Sequence, residues 1–138
     1  MSSELIWNVI RGNNAFKITR GKTSFSSEAG NLRNKHSSKY SGLANRKVVD
    51  VNVNAAGAIE LSAKRTKKAA NPAASFGRVQ LSKNYRSSAK AIRTLTTGYA
   101  PELRAAALAR YHRLNKTAKA ANMLKARAAK KAAKTAAN

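Results

Sequence analysis

The side chains that could act as acids, bases or nucleophiles are few and scattered. Five carboxylates occur, at spacings that bring no two of them together on one helix face: Glu4, Glu28, Asp50, Glu60 and Glu102. The two histidines lie in different settings, His36 in a polar segment and His112 in a basic one. The sequence contains no cysteine, and no Gly-rich phosphate loop follows a predicted strand. We therefore expect neither an enzyme nor a metal, a cofactor or a small-molecule substrate.

Positive charge dominates the remaining chemistry. The 138 residues include 28 Lys+Arg against 5 Asp+Glu, which gives a formal net charge of +23 at pH 7. The excess is uneven, since residues 61–138 contain 19 of the basic residues and a single carboxylate, Glu102. A chain with this imbalance repels itself, so a polyanion is its expected partner. Nucleic acid is the commonest such partner, because each neutralised phosphate releases counterions.

Three basic clusters could contact phosphate, namely Arg46-Lys47, Lys64 to Lys68, and Arg104 through Lys134. A solvated helix normally mixes both signs of charge, yet no acidic residue lies between Arg104 and Asn138. The candidate phosphate contacts in these clusters are Arg46, Lys47, Lys64, Arg65, Lys67, Lys68, Arg104, Arg110, Arg113, Lys125, Arg127, Lys130 and Lys131. Lys35, from the polar segment before the clusters, is a further candidate.

Aromatic residues beside basic sequence favour RNA over DNA, because they could stack on splayed bases. The stacking candidates are Tyr40, Tyr85 and Tyr99. Phe76 and Tyr111 also lie near basic residues, but they can equally be core residues.

A membrane partner is not expected. No apolar run approaches the roughly 20 residues that a spanning helix needs, and Met1 to Glu4 do not resemble a secretory signal. A surface helix would need large apolar residues opposite its basic face, and the C-terminal segment offers only Met123 and Leu124. We expect a soluble, intracellular protein, and the absence of cysteine fits a reducing compartment.

These candidates must be positioned by an α+β fold. The patterns predict a small α+β globular domain over residues 1–97, with a mixed sheet and the first of two helices, and then a basic helix and Ala/Lys-rich extended tail over residues 98–138. Residues 2–11 are typical of a helix capped by Ser3, with a strand as the alternative, and Trp7 is expected in the core.

Strand patterns follow. Residues 15–20 alternate as a strand, and residues 21–45 predict a long loop rich in Ser, Gly, Asn and Lys that packs through a few apolar anchors or against a partner. Residues 47–54 and 58–64 are predicted to form a hairpin, to which residues 76–81 add a third strand.

The first C-terminal helix is predicted to begin at Ser82 or Asn84, to reach about Thr97 and to be ended by Gly98. Its expected inward residues are Ala91, Ile92 and Leu95.

The second helix is predicted from Pro101. One apolar stripe comprises Leu103, Ala107, Tyr111, Leu114 and Ala118. Residues 116–138 have high helix propensity but no apolar face. We expect this tail to be disordered or marginally helical alone, and ordered on a phosphate-rich surface.

Several sequence blocks resemble, in order and spacing, the eukaryote-specific large-subunit ribosomal protein family numbered twenty-eight. The blocks are Leu5-x-Trp7-x-Val9, Asn13 with Phe16 and Arg20, Asn31-Leu32, Tyr40-x-Gly42-Leu43-x-x-Arg46-Lys47-x-Val49-x-Val51, and Tyr99-x-Pro101-Glu102-Leu103-Arg104. The likeness spans residues 3–114. The tail departs from the family's mixed Lys/Arg/Pro/Ser ending, so no tail contact is transferred.

The resemblance implies a structural protein of the cytosolic large ribosomal subunit that binds 28S-type ribosomal RNA beside neighbouring large-subunit proteins, with nucleolar transit during assembly. It implies RNA-facing roles for Arg20, Arg33, Arg46, Lys47 and Arg104. A related nucleolar assembly factor shares the N-terminal domain, but it has an acidic C-terminal region and a Cys-containing loop, which this chain lacks. Assembly factor and chromatin linker, the latter prompted by the Ala/Lys tail, remain the alternatives.

Overall fold

The structure, a computed structural model, describes residues 2–68, 71, 74–82 and 84–136. Its helices and strands are α1 (Ser3–Ile10), β1 (Lys17–Arg20), β2 (Thr23–Ser26), β3 (Val49–Val53), β4 (Ile59–Lys64), β5 (Phe76–Gln80), α2 (Tyr85–Tyr99) and α3 (Arg104–Ala136). Short 3-10 turns lie at Ser38–Tyr40, Thr66–Lys68 and Pro101–Leu103. Two small antiparallel sheets and three helices make an α+β fold, as predicted.

The N-terminal segment is a helix rather than the alternative strand. Its cap is Ser2 and not Ser3, because the Ser2 hydroxyl accepts a hydrogen bond from the Glu4 N–H at 3.3 Å. No residue of α1 is buried, so the prediction that Trp7 lies in the core is wrong. Trp7 is half-buried and packs on the ring of His36, a residue of the polar loop, at a centroid distance of 4.8 Å.

The second strand of the N-terminal hairpin was not predicted. β1 and β2 pair antiparallel with Ile18 opposite Phe25, so part of the expected loop is a strand. The pattern gave little sign of it, since Phe25 is the one large apolar side chain of β2 and is 43 % exposed.

The predicted three-stranded sheet is confirmed, with the antiparallel order β3-β4-β5. Val51 pairs with Leu61, and Leu61 pairs with Val79 on the other side. The β3–β4 turn is held by the Asn54 side-chain oxygen, which accepts from the Ala58 N–H at 2.9 Å, and Gly57 supplies a φ of 81° that favours glycine.

Helix α2 packs mainly against α3 and joins the common core through a face that includes polar residues. Asn84 is its cap, and it runs through Gly98 to Tyr99, so the prediction that Gly98 ends it is wrong. The buried residues are Ser88, Ala89, Ile92 and Thr96, whereas Ala91 is exposed and Leu95 half-buried. Thr96 is tolerated inside because its hydroxyl donates to the Ile92 carbonyl at 2.8 Å.

Helix α3 contributes to the same core as the strands. Leu103, which precedes α3, and Ala107 and Tyr111 within it are buried in that core, while Leu114 and Ala118 of the predicted stripe are half-buried. The domain division between residues 97 and 98 stays a prediction. Of the two alternatives for the tail, disorder or a marginal helix, the structure has the helix, since α3 continues without a break to Ala136. No Gly or Pro interrupts residues 104–136, and Ala, Lys and Arg favour helix.

Candidate nucleic-acid interface

Helix α3 leaves the core after Ala118 and carries positive charge away from it. From Lys119 to Arg127, every described side chain is exposed. We call residues 119–136 the arm; at 1.5 Å per residue it extends for about 27 Å.

One side of α3 is basic. Arg113, Lys116, Lys119 and Arg127 are all exposed. At 100° per residue their positions fall within an arc of about 120°, opposite the stripe that packs into the core. This geometry lets the inner side of the helix pack while the outer side meets a charged surface. The candidates Lys125, Lys130 and Lys131 belong to the helical backbone, and their side chains lie outside the described residues.

Most candidates in the globule are also open to solvent. The exposed ones are Arg20, Arg33, Lys35, Arg46, Lys47, Arg65, Lys67, Lys68 and Arg104. Few carboxylates oppose them, because Glu28 and Asp50 are buried. The excess of positive over negative charge is therefore even stronger at the outer surface than the composition indicates.

Lys64 is engaged inside the protein. Its ammonium group donates to the carbonyl oxygens of Gly42 and Asn45, both at 3.2 Å. It ties the end of β4 to the long loop and is half-buried. Sequence reasoning grouped it with its exposed neighbours, because nothing in the composition distinguishes an inward lysine from an outward one.

Arg110 is also directed into the protein. Its position off the apolar stripe had predicted a contact with phosphate. Its Nε donates to the Val51 carbonyl at 2.6 Å, and one terminal nitrogen donates to Asn52 Oδ1 at 2.6 Å. The other terminal nitrogen donates to the carbonyls of Asn31 and Leu32 at 3.3 and 3.2 Å, and to Asn34 Oδ1 at 3.1 Å. Arg110 thereby joins α3, β3 and the long loop.

The carboxylate beside Arg110 is Asp50. One oxygen lies 3.9 Å from Arg110 Nε, and the carboxylate also accepts from the N–H groups of Gly30 and Val51 and from the Asn52 amide. Burial raises the pKa of Asp50, against the opposing effects of Arg110 and the two backbone N–H groups.

The long loop is ordered by a second buried carboxylate. Glu28 accepts from the Asn31 amide at 3.3 Å, from the Ser41 hydroxyl at 3.0 Å and from the Leu43 N–H at 3.4 Å. The loop closes tightly, because a Cβ on Gly42 would overlap the Ala29 carbonyl oxygen. This network was missed, since its members follow no periodic spacing.

Two of the three stacking candidates already have intramolecular partners. The Tyr99 hydroxyl donates to the Lys64 carbonyl at 2.6 Å and accepts from the Val48 N–H at 3.2 Å, and burial raises its pKa. Tyr85 stacks on Tyr111 at a centroid distance of 5.4 Å. Tyr40 differs, because its ring is flanked by cations that are themselves exposed.

Two other kinds of site are absent from the part of the chain that the structure describes. Among residues 2–68, 71, 74–82 and 84–136, no cluster of three or more His, Cys, Asp or Glu residues could hold a metal ion. Over the same ranges, no helix has the length and apolarity that crossing a bilayer requires.

A small α+β globule with a projecting cationic helix, in which two of the five carboxylates are buried, defines a class of protein suited to bind a polyanion. Within that class the chain belongs to the Ribosomal L28e protein family, whose model matches residues 5–117. The resemblance drawn from the sequence blocks is thus confirmed. The family is one of ribosomal structural proteins and not of enzymes.

Three relatives show how far the likeness extends. The chain is similar to the large ribosomal subunit protein eL28 of Dictyostelium discoideum, 49% identical over 133 residues that cover 95% of this chain and 99% of the relative. It is 34% identical over 118 residues to the Schizosaccharomyces pombe protein of that name, with 80% and 87% covered. The Caenorhabditis elegans protein is 48% identical over 62 residues, 43% of this chain and 48% of the relative.

Proposed function

We propose that the chain is a structural component of the large subunit of the cytosolic ribosome, where it binds and stabilises 28S-type ribosomal RNA and supports translation. The observation that carries this proposal is the arm. A helix that projects with exposed side chains and contains no acidic residue is suited to a phosphate surface, because no salt bridge among the described residues neutralises its charge. Membership of a ribosomal family supports the same function.

The proposed RNA contacts are the exposed basic residues of the globule and of α3. They are Arg20, Arg33, Lys35, Arg46, Lys47, Arg65, Lys67, Lys68, Arg104, Arg113, Lys116, Lys119 and Arg127. Lys64 and Arg110 are left out of the set, because their donors bond to this chain's own oxygens.

Neighbouring large-subunit proteins are the proposed protein partners, and assembly is proposed to take the chain through the nucleolus. Relatives named as large ribosomal subunit proteins support this placement.

Sucrose-gradient sedimentation of cell extracts tests the proposal. We expect the protein on 60S-type particles and on polysomes, and we expect it to stay bound through a high-salt wash. Its presence in free fractions alone would contradict the proposal. Presence on nucleolar precursors but not on polysomes would indicate an assembly factor, and cross-linking to chromatin would indicate the linker alternative.

A further inference from the structure

An open groove of about 880 Å³ lies between the long loop and the first turns of α3. The loop side presents Arg33, Lys39 and Tyr40, and the helix side presents Arg113 and several alanines. The groove is thus bounded by three exposed cations and one aromatic ring. It lies on the globule and not on the arm.

The aromatic ring is held in place before any ligand arrives. Tyr40 packs against the core, and its N–H donates to the Ser37 carbonyl at 3.2 Å. Asn45 ties down the adjacent turn by donating to the Ser38 carbonyl at 2.7 Å. A site held this way loses little conformational freedom on binding.

The cations are arranged around that ring. The Arg33 guanidinium and the Lys39 ammonium each lie 5.9 Å from the centroid of Tyr40. A nucleobase can stack on a tyrosine ring or on a guanidinium plane, and both cations can reach a phosphate on the same nucleotide.

The helix side of the groove is shallow because its side chains are small. Ala105, Ala106 and Ala109 line it, and Ala105 and Ala109 are exposed. Alanines leave room for a flat group against the helix. Glu102 lies at the same groove and offers a carboxylate that could accept a hydrogen bond from a base amino group.

From these contacts we infer that the groove binds a single unpaired RNA nucleotide, with its base between Tyr40 and the alanines of α3 and its phosphates at Arg33, Lys39 and Arg113. The inference rests on the proposed RNA-binding function and adds a site with a stated ligand. A paired base cannot enter, because its faces are covered by stacking in the duplex. The groove should therefore prefer a bulged or looped nucleotide.

A steric variant tests this without changing any charge. The full chain is titrated against an RNA hairpin with one bulged 2-aminopurine, and against the same hairpin fully paired. Ala109→Leu fills the groove, whereas Ala91→Leu adds the same volume at an exposed position of α2, outside both the groove and the arm. Both variants are checked for folding by circular dichroism and thermal melting.

We expect the unmodified chain to bind the bulged hairpin about tenfold more tightly than the paired one, because stacking of one base changes affinity by roughly 5- to 150-fold. Ala109→Leu should remove the preference and leave the affinity for paired RNA unchanged, and Ala91→Leu should keep the preference. The 2-aminopurine emission should change on binding to the parent and to Ala91→Leu, but not on binding to Ala109→Leu.

Equal affinity for both hairpins, or a preference that survives Ala109→Leu, would overturn the groove assignment while RNA binding itself stands. Failure to bind either hairpin would instead count against the proposed function. If a glutamate-rich peptide binds the parent chain and Ala109→Leu abolishes that binding while both hairpins are bound equally, the groove is a protein-binding site and the inference is wrong.

Discussion

Arg110 and Arg113 are three residues apart on α3, yet their guanidinium groups have opposite surroundings. Arg110 donates to oxygens of β3 and the long loop, whereas Arg113 is exposed beside the groove. The sequence could not separate the two, since both lie off the apolar stripe. Only the approach of the loop to α3, through contacts distant in the chain, gives Arg110 its partners.

We expect Arg110→Ala to lower the free energy of unfolding by about 3 kcal/mol, because it removes the cation beside the buried Asp50 carboxylate and leaves several carbonyl oxygens without their donor. Urea unfolding measures this. Arg113→Ala is the matched control: its stability should stay within about 0.5 kcal/mol of the parent, while the slope of RNA affinity against salt falls by about one. Equal stability losses in both variants would show that Arg110 has no special structural role.

Asp50 should give the unfolding free energy a dependence on pH. Burial raises its pKa in the folded chain, so the folded state holds the proton more tightly than the unfolded state does. The resulting stability is fully present below the ordinary pKa of 3.8 and is lost as pH rises through the folded value. Asp50→Asn cannot ionise, so the free-energy difference between parent and variant should be largest in acid and smaller at neutral pH.

Urea unfolding of both proteins between about pH 4 and pH 7 measures that difference. Asp50→Asn should be the less stable protein throughout, because an amide NH₂ would face the donors of Gly30, Val51 or Asn52. A difference that grows with pH would contradict the expectation, and it would mean that the attraction of Arg110 outweighs burial.

At the scale of elements, periodic patterns of apolar residues predicted helices and strands, whereas segments without a period could not be predicted. The alternation Val49, Val51, Val53 predicted β3, because alternate residues of a strand share one face. Val49 and Val51 are buried in the core, whereas Val53 at the end of the strand is exposed. The stripe on α3 was readable for the same kind of reason. β2 has a single large apolar residue, Phe25, and the loop network around Glu28 depends on contacts with no period, so neither could be predicted.

Gly98 and Gly42 show that the surroundings of a glycine decide the effect of replacing it with alanine. Gly98 lies within α2 with nothing within 4 Å of an added Cβ. We expect Gly98→Ala to raise the free energy of unfolding by up to about 1 kcal/mol, since alanine restricts the unfolded chain and favours helix. Gly42→Ala should lower it, because the added Cβ would meet the Ala29 carbonyl. Urea unfolding compares both, and destabilisation by Gly98→Ala would contradict the helix end at Tyr99.

At the scale of the whole molecule, the composition showed the excess of positive charge, and that excess predicted a polyanion as the partner. The separation of packing from charge on α3 was predicted in part, through the stripe and the basic residues beside it. Whether the helix would continue beyond the core was left open between disorder and a marginal helix, because a segment of Ala and Lys has no apolar face that would decide it.

Removing residues 119–138 should leave the globule folded, because no described side chain of the arm is buried. The deletion takes away six basic residues, so RNA affinity should fall and its salt slope should flatten by up to about five. A control replaces the exposed Met123 and Leu124 with alanine and keeps every charge; it should bind RNA as the parent does. An unchanged slope after the deletion would show that the arm does not contact phosphate.

One continuous helix forms both the apolar stripe in the core and the arm. The packing of the stripe therefore fixes the direction in which the side chains of the arm point around the helix axis. Inserting one alanine after Ala120 would rotate everything beyond it by about 100° and advance it by about 1.5 Å, with no change in charge. Inserting seven residues would restore the phase to within about 20° while lengthening the reach. If the bound surface is rigid, the one-residue insertion should weaken binding more than the seven-residue insertion. The packing of α3 in the core therefore sets the direction in which the charges of the arm point.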